Sequence, residues 1–248
     1  MTNLRRVTGR FFWLGVIIIG ALADFSIHCA FRGKNSRLTR ALWLQRHCRC
    51  ILNIFKLKPQ VAGTIPSHGL LISNHLSYLD ILVISAITPA VFVAKREIKF
   101  WPVFGQFAQM AGTLFVDRAR RTQVGEMNLE IQNALDDGAL VVLFPEGTSS
   151  NGETVLPFKS ALLQPAVGKT NSLFVACIRY ALDDGDVGEE ICYWGGHTFF
   201  PHMLNLMGKR AVRAAVRFAP SEIQTADRKE LARQLRDAVL KLKNNCDP

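Results

Sequence analysis

The sequence predicts an α/β fold, a largely parallel central sheet covered by helices, with an N-terminal membrane-associated helical segment. Three observations predict it. Short apolar runs at 70–73, 91–94, 113–116, 139–144 and 173–178 alternate with stretches of helical periodicity, the pattern of strand–helix–strand units. The chain of 248 residues is 49% apolar, enough to bury a sizeable core, and has no internal repeat, low-complexity tract or Gly/Pro-rich linker after residue 69. The net charge of +10 is collected at one end: residues 1–60 hold eleven Lys or Arg against the single acid Asp24, and the remainder holds nineteen of each sign. The organisation read from this is a basic, apolar N-terminal segment over 1–60 and an α/β unit over 61–248.

The run at 11–23, FFWLGVIIIGALA, would make a helix of about 20 Å, shorter than the ~30 Å hydrocarbon core of a bilayer, so it need not span one. Arg5, Arg6 and Arg10 before it and Ala21-Leu22-Ala23 after it also fit a cleavable signal peptide, and that reading stays open. Ser36 can cap a helix over 36–55, in which Leu38, Ala41, Leu42, Cys48, Leu52 and Phe55 form a stripe interrupted by Gln45 and Arg49. Arg37, Arg40, Arg46, Arg49, Lys56 and Lys58 around it suggest an interfacial helix, with an ordinary surface helix as the alternative. The expected partner is an anionic membrane surface, toward which each nearby Lys or Arg contributes roughly 1 kcal/mol. No nucleic-acid partner is expected, because the basic block lacks interleaved aromatic patches.

Further helices are expected at 77–87, 102–110, 121–136 (ending at Gly138) and 160–167, then a last strand at 211–218 and an amphipathic helix at 225–243. The six cysteines show no paired metal-ligand spacing and read as free thiols of a reducing cytoplasm. His197 and His202 lack an acidic ligand at metal spacing, so no metal is expected.

Three constellations could carry chemistry. In Asn74-His75-Leu-Ser77-Tyr-Leu-Asp80, a His and an Asp five apart follow an apolar strand. Within one regular helix they would point some 140° apart. A helix starting near Ser77 instead lets His75 fold back from the preceding turn, so that Asp80 fixes its tautomer and leaves the other nitrogen as a general base. A plain Ser77-x-x-Asp80 helix cap is the competing reading. Phe144-Pro145-Glu146-Gly147-Thr148-Ser149-Ser150-Asn151-Gly152 is a buried strand ending in a turn whose N–H and hydroxyl groups suit a phosphate or glycerol oxygen, or merely punctuate the chain. Gly112-Thr-Leu-Phe-Val116-Asp117-Arg118 delivers a charged pair at a strand end, where Arg118 could bind phosphate or pair with Asp117 or Glu146. Tyr193-Trp194-Gly195-Gly196-His197 and Phe199-Phe200-Pro201-His202 form an aromatic cluster that suits core packing or an acyl groove.

In this order and with these gaps, Asn74-His75-x4-Asp80, Gly112-x-x-Phe115-Val116-Asp117-Arg118 and Phe144-Pro145-Glu146-Gly147-Thr148 resemble the first three motifs of the 1-acylglycerol-3-phosphate acyltransferase family. Ala94-Lys95-Arg96-Glu97 and Trp101-Pro102-Val103-Phe104-Gly105 are similar too, and the likeness covers about 65–185. It implies His75 as base and Asp80 as its partner, Arg118, Glu146, Gly147 and Thr148 in acceptor binding, and an acyl-CoA or acyl-carrier-protein thioester as co-substrate, with no further cofactor. The implied activity moves a fatty acyl group to the free hydroxyl of a lysolipid, first of all 1-acylglycerol-3-phosphate, at the cytoplasmic face of the membrane.

Two departures bear on the head group. Ser149 stands where many members carry Arg, and the fourth-motif proline is absent from Phe174-Val175-Ala176-Cys177-Ile178. The Ser-Ser-Asn-Gly turn with Leu156-Pro157-Phe158-Lys159-Ser160 resembles a branch that includes lyso-ornithine lipid acyltransferases, the alternative acceptor. A serine hydrolase lacks its Gly-x-Ser-x-Gly elbow here, and a membrane-surface binding protein is the non-enzyme alternative.

Overall fold

The computed structural model describes residues 2–32, 36–117, 121–168 and 172–246. Its elements run α1 (Thr2–Arg32), α2 (Arg37–Ile54), β1 (Gln60–Gly63), β2 (Gly69–Ser73), α3 (Leu79–Ile87), β3 (Val91–Lys95), α4 (Phe104–Met110), β4 (Leu114–Val116), α5 (Arg121–Asp136), β5 (Leu140–Leu143), β6 (Leu173–Leu182), α6 (Val187–Glu190), α7 (Phe199–Gly208), β7 (Val212–Pro220) and α8 (Arg228–Lys243). The strands form one sheet in the order β1-β7-β6-β2-β5-β3-β4. Every pairing is parallel except β6 with β7. The α/β class with a mostly parallel sheet is the one the alternation predicts.

The central strands β2 and β5 are buried at every position, as strands covered on both faces must be. Alternation then divides their side chains between two cores. Leu71 and Val142 face a layer holding Leu52 of α2, Val83 and Ile84 of α3, and Leu206 of α7. Leu70, Ile72, Val141 and Leu143 face Ile131 of α5 and Leu231, Leu235 and Val239 of α8.

Several elements differ from expectation, among them α6 and α7, where no helix is expected. The edge strand β1 is mostly exposed and lacks an apolar run, so no period-2 signal marks it. The 160–167 stretch makes two 3₁₀ turns, Ser160–Leu162 and Gln164–Ala166, in place of one helix, because Pro165 cannot donate the N–H that an α-turn requires. β6 continues to Leu182, beyond the expected 178, because its far half pairs antiparallel with β7.

Of the stripe expected in the helix over 36–55, Ala41, Cys48, Leu52 and Phe55 are buried, whereas Leu38 and Leu42 are exposed. α2 buries Trp43, Cys48 and Leu52, and the interruptions in the stripe have partners: Gln45 Nε2 donates to Ile87 O at 3.1 Å and Arg49 Nε to Ala86 O at 2.8 Å. Both satisfy carbonyls at the end of α3 that have no partner within their own helix.

α1 is far longer than the apolar run at its centre. Its 31 residues reach about 46 Å, and Leu4–Cys29 has a mean hydropathy of 1.8, long and apolar enough by length and composition to cross a membrane. Three of its charged residues, Arg6, Arg10 and Asp24, are tied to the protein. Buried Arg10 donates to Ile54 O at 3.1 Å, Met207 O at 2.9 Å and Lys209 O at 2.6 Å, and Asp24 accepts from Arg46 at 3.1 Å. Trp43 Nε1 donates to the carbonyl of buried Ala21. Elsewhere on its surface Phe12 is 66% and Ile19 69% exposed, and α1 is a candidate membrane anchor.

Candidate active site

β2, β5, β3 and β4 are adjacent and run the same way, so the segments after them leave from one edge of the sheet. This is where sites form in open α/β folds. The topology thereby brings together the turn 74–78, the turn 144–152, Lys95-Arg96 and Asp117. Arg118 lies outside the described residues.

His75 occupies the turn between β2 and α3, and Asp80 lies in the first turn of that helix. The loop is held at both its backbone groups: His75 N–H donates to Glu146 Oε1 at 2.7 Å, and His75 O accepts from Ser150 N at 3.0 Å. Asn74 continues β2 with its side chain, which donates to Ile178 O at 3.0 Å and accepts from Ile178 N at 2.8 Å. The His75 ring stacks on Phe144 at 4.2 Å, folds back, and places Nδ1 2.7 Å from Asp80 Oδ2.

Asp80 is fully buried. Its Oδ2 also accepts from Leu76 N at 2.7 Å and Ser77 N at 3.0 Å, while Oδ1 accepts from Tyr180 OH at 2.7 Å. A carboxylate so surrounded is an acceptor, which assigns the His75 proton to Nδ1. Nε2 is then the nitrogen left for a substrate, on a side chain 21% exposed. Half of the cap also forms: Asp80 Oδ2 accepts from Ser77 N, but Ser77 contributes its carbonyl to Asp80 N, and its hydroxyl has no hydrogen-bond partner among the described residues.

Glu146 is buried, with Oε1 on His75 N and Oε2 on Leu156 N at 2.9 Å. Burial pushes its carboxyl up to about 7 against the pull of these two N–H donors. Gly147 has φ of 75°, a conformation that a side chain would strain, and turns the chain so that Thr148 is exposed. Ser149 Oγ donates to Tyr193 O. α8 braces the turn, with Arg236 donating to Val155 O and Lys243 to Gly152 O, both at 2.7 Å. Asp117 pairs with Arg96 at 3.2 Å, and Lys159 is exposed.

Tyr180, Arg236 and Lys243 escape sequence reasoning, and Asn74, quoted in the first motif, has no role assigned there. Tyr180 lies 100 residues from Asp80 in a strand with no motif around it. The aromatic cluster packs beside the start of α3: Tyr78 OH lies 3.0 Å from His202 Nδ1, and Phe199 meets Tyr78, Trp101 and Phe104 in tilted or edge-on contacts with ring centroids 4.8–5.7 Å apart. Burial lowers the His202 pKa and keeps the ring neutral, so Nε2–H donates to Cys192 O and Nδ1 accepts from Tyr78. Among the described residues no group of three His, Cys, Asp or Glu side chains could hold a metal ion.

The Asp-bound imidazole at the sheet edge, with its three motifs in register, belongs to an acyl-transfer enzyme, and the comparisons agree: the chain belongs to the Acyltransferase family, whose profile matches residues 58–176. A lyso-ornithine lipid O-acyltransferase of Brucella abortus is 38% identical over 207 residues, 77% of this chain and 78% of that one. A 1-acyl-sn-glycerol-3-phosphate acyltransferase of Neisseria meningitidis is 37% identical over 158 residues, 59% of this chain and 62% of that one. The fold is shared with the solved 1-acyl-sn-glycerophosphate (LPA) acyltransferase PlsC from Thermotoga maritima, at a TM-score of 0.71 and 20% identity over 98% of this chain and 95% of that one.

Proposed function

We propose that the protein is a membrane-associated lysolipid O-acyltransferase in which His75 is the general base. The observation that carries this is the buried Asp80 carboxylate, which orients His75 through Nδ1 and presents Nε2 at the edge where the motifs meet. The lysolipid hydroxyl gives its proton to Nε2 as its oxygen attacks the carbonyl of an acyl-CoA or acyl-carrier-protein thioester. Collapse of the tetrahedral adduct breaks the C–S bond, and the imidazolium returns the proton to the departing thiolate. No acyl-enzyme forms. Positioned base catalysis supplies roughly 10²–10⁴-fold, and orientation of the two substrates supplies much of the rest.

Arg118, Gly147 and Thr148 serve the acceptor, whereas Glu146 acts through the backbone it holds. A cytosolic thioester donor puts the site at the cytoplasmic face of the membrane, with α1 as anchor. The acceptor best supported is a lyso-ornithine lipid, since Ser149 offers no cation and spends its hydroxyl on Tyr193, and the ornithine-lipid relative matches over more of both chains. The second reading, 1-acylglycerol-3-phosphate, rests on Arg118 after β4 and on the Neisseria relative.

The test is a panel of lysolipids offered with one labelled acyl-thioester to purified protein, read by product mass. Product that requires both substrates supports the proposal. Thioester loss without any lysolipid would make the protein a hydrolase, and no turnover of either would leave it a binding protein.

A further inference from the structure

We infer that Tyr180 is a positioning residue of the acyl-transfer site, acting on His75 through Asp80; this rests on the reading of His75 as base. The two Asp80 oxygens are served unequally. Oδ2 takes three donors, His75 Nδ1, Leu76 N and Ser77 N, all from its own turn, whereas Oδ1 takes Tyr180 OH at 2.7 Å from β6. Both Asp80 and the phenol are enclosed in protein.

The local turn therefore holds one oxygen, and the plane of the carboxylate is set by a hydroxyl from the neighbouring strand. That strand is itself locked to the turn by the double hydrogen bond between Asn74 and Ile178, two residues before Tyr180. Burial and the Asp80 charge both raise the Tyr180 pKa, which keeps the phenol protonated and a donor.

A hydrogen bond to Oδ1 has a chemical consequence beyond placement. It draws part of the carboxylate charge away from the His75 proton, so Asp80 orients the imidazole without holding that proton too tightly. The other titratable groups around Asp80 are Tyr78 at the start of α3, Glu146 after β5 and Cys192 after α6. Burial raises the Tyr78 pKa and pushes the Cys192 thiol up to about 12, so Glu146 is the neighbour that changes charge near neutrality.

The test is Tyr180→Phe, which keeps the ring in its core and removes only the hydroxyl. Steady-state kinetics across pH 5.5–9 would be compared with wild type and with His75→Ala. The expected result is a fall in kcat of about tenfold, with both KM values within about twofold. The acidic limb of the kcat profile should move up by about half a pH unit, because the unshared carboxylate stabilises the His75 imidazolium more strongly.

A folded variant with wild-type kcat and limb overturns the inference. So does a fall in kcat without movement of the limb, which is what general loosening gives. Should the Phe variant not fold, 3,5-difluorotyrosine placed at 180 alone is a stronger donor of nearly the same shape. The limb should then move to lower pH, and an unmoved limb rejects the role. Retained transfer in His75→Ala refutes the base itself, a failure distinct from either of these.

Discussion

Glu146→Gln separates holding the loop from touching the acceptor. Both Glu146 oxygens accept backbone N–H groups, from His75 at 2.7 Å and Leu156 at 2.9 Å, and burial raises the carboxyl from 4.5 to about 7. At ~1.4 kcal/mol per pH unit, this rise corresponds to about 3 kcal/mol. Because the folded pKa is raised, the folded protein keeps a proton that the unfolded chain has lost between these values. The associated stability is present below pH 4.5 and is lost as pH rises through about 7. Glutamine does not titrate. It does set an NH2 against one of the two N–H groups, a cost of about 1–3 kcal/mol that is the same at every pH. Urea unfolding in detergent at pH 5, 6, 7 and 8 should therefore show the variant gaining on wild type by up to about 3 kcal/mol as pH rises. A difference that stays flat with pH would refute the reasoning. In activity, kcat should fall at least tenfold with the acceptor KM nearly unchanged, since the displaced group is the His75 backbone; a rise in acceptor KM alone would place Glu146 on the acceptor.

His75→Ala should abolish acyl transfer with less than about 1 kcal/mol lost in unfolding, because Asp80 keeps Leu76, Ser77 and Tyr180 as donors; substantial turnover by the folded variant would end the mechanism. Deleting residues 2–32 should move the protein from the membrane pellet to the soluble fraction while leaving α2 in its core, and continued sedimentation with membranes would put the docking surface elsewhere. Arg118→Ala should raise the KM for 1-acylglycerol-3-phosphate about tenfold, and that for lyso-ornithine lipid less, if a phosphate is what Arg118 meets. Equal effects on both acceptors would remove the phosphate contact from the second reading.

What the sequence discloses is whatever lies within a few residues of itself. The runs at 70–73 and 139–144 announce β2 and β5 because strands buried on both faces must be apolar throughout, and His75 with Asp80 announces a site because one turn brings them together. The partners that make the dyad chemically specific come from elsewhere. Tyr180 reaches Asp80 from a strand 100 residues on, and Glu146 reaches the His75 backbone from 71 residues on. Gln45 and Arg49 spoil an apolar stripe, and only the position of the α3 C-terminus explains why they are there. Each is a polar group whose partner is set by strand order or by helix packing, which no local pattern encodes. The same logic explains why Glu146, which the resemblance implies as an acceptor ligand, has both its oxygens on backbone N–H groups. A Glu after a buried strand and before a Gly turn looks aimed at solvent, but the parallel β2–β5 pairing sets the two strand ends side by side, and the carboxylate closes the gap between them. Groups whose hydrogen bonds are not already taken by the fold, such as Nε2 of His75 and the exposed Thr148, are where contact with a substrate is to be sought.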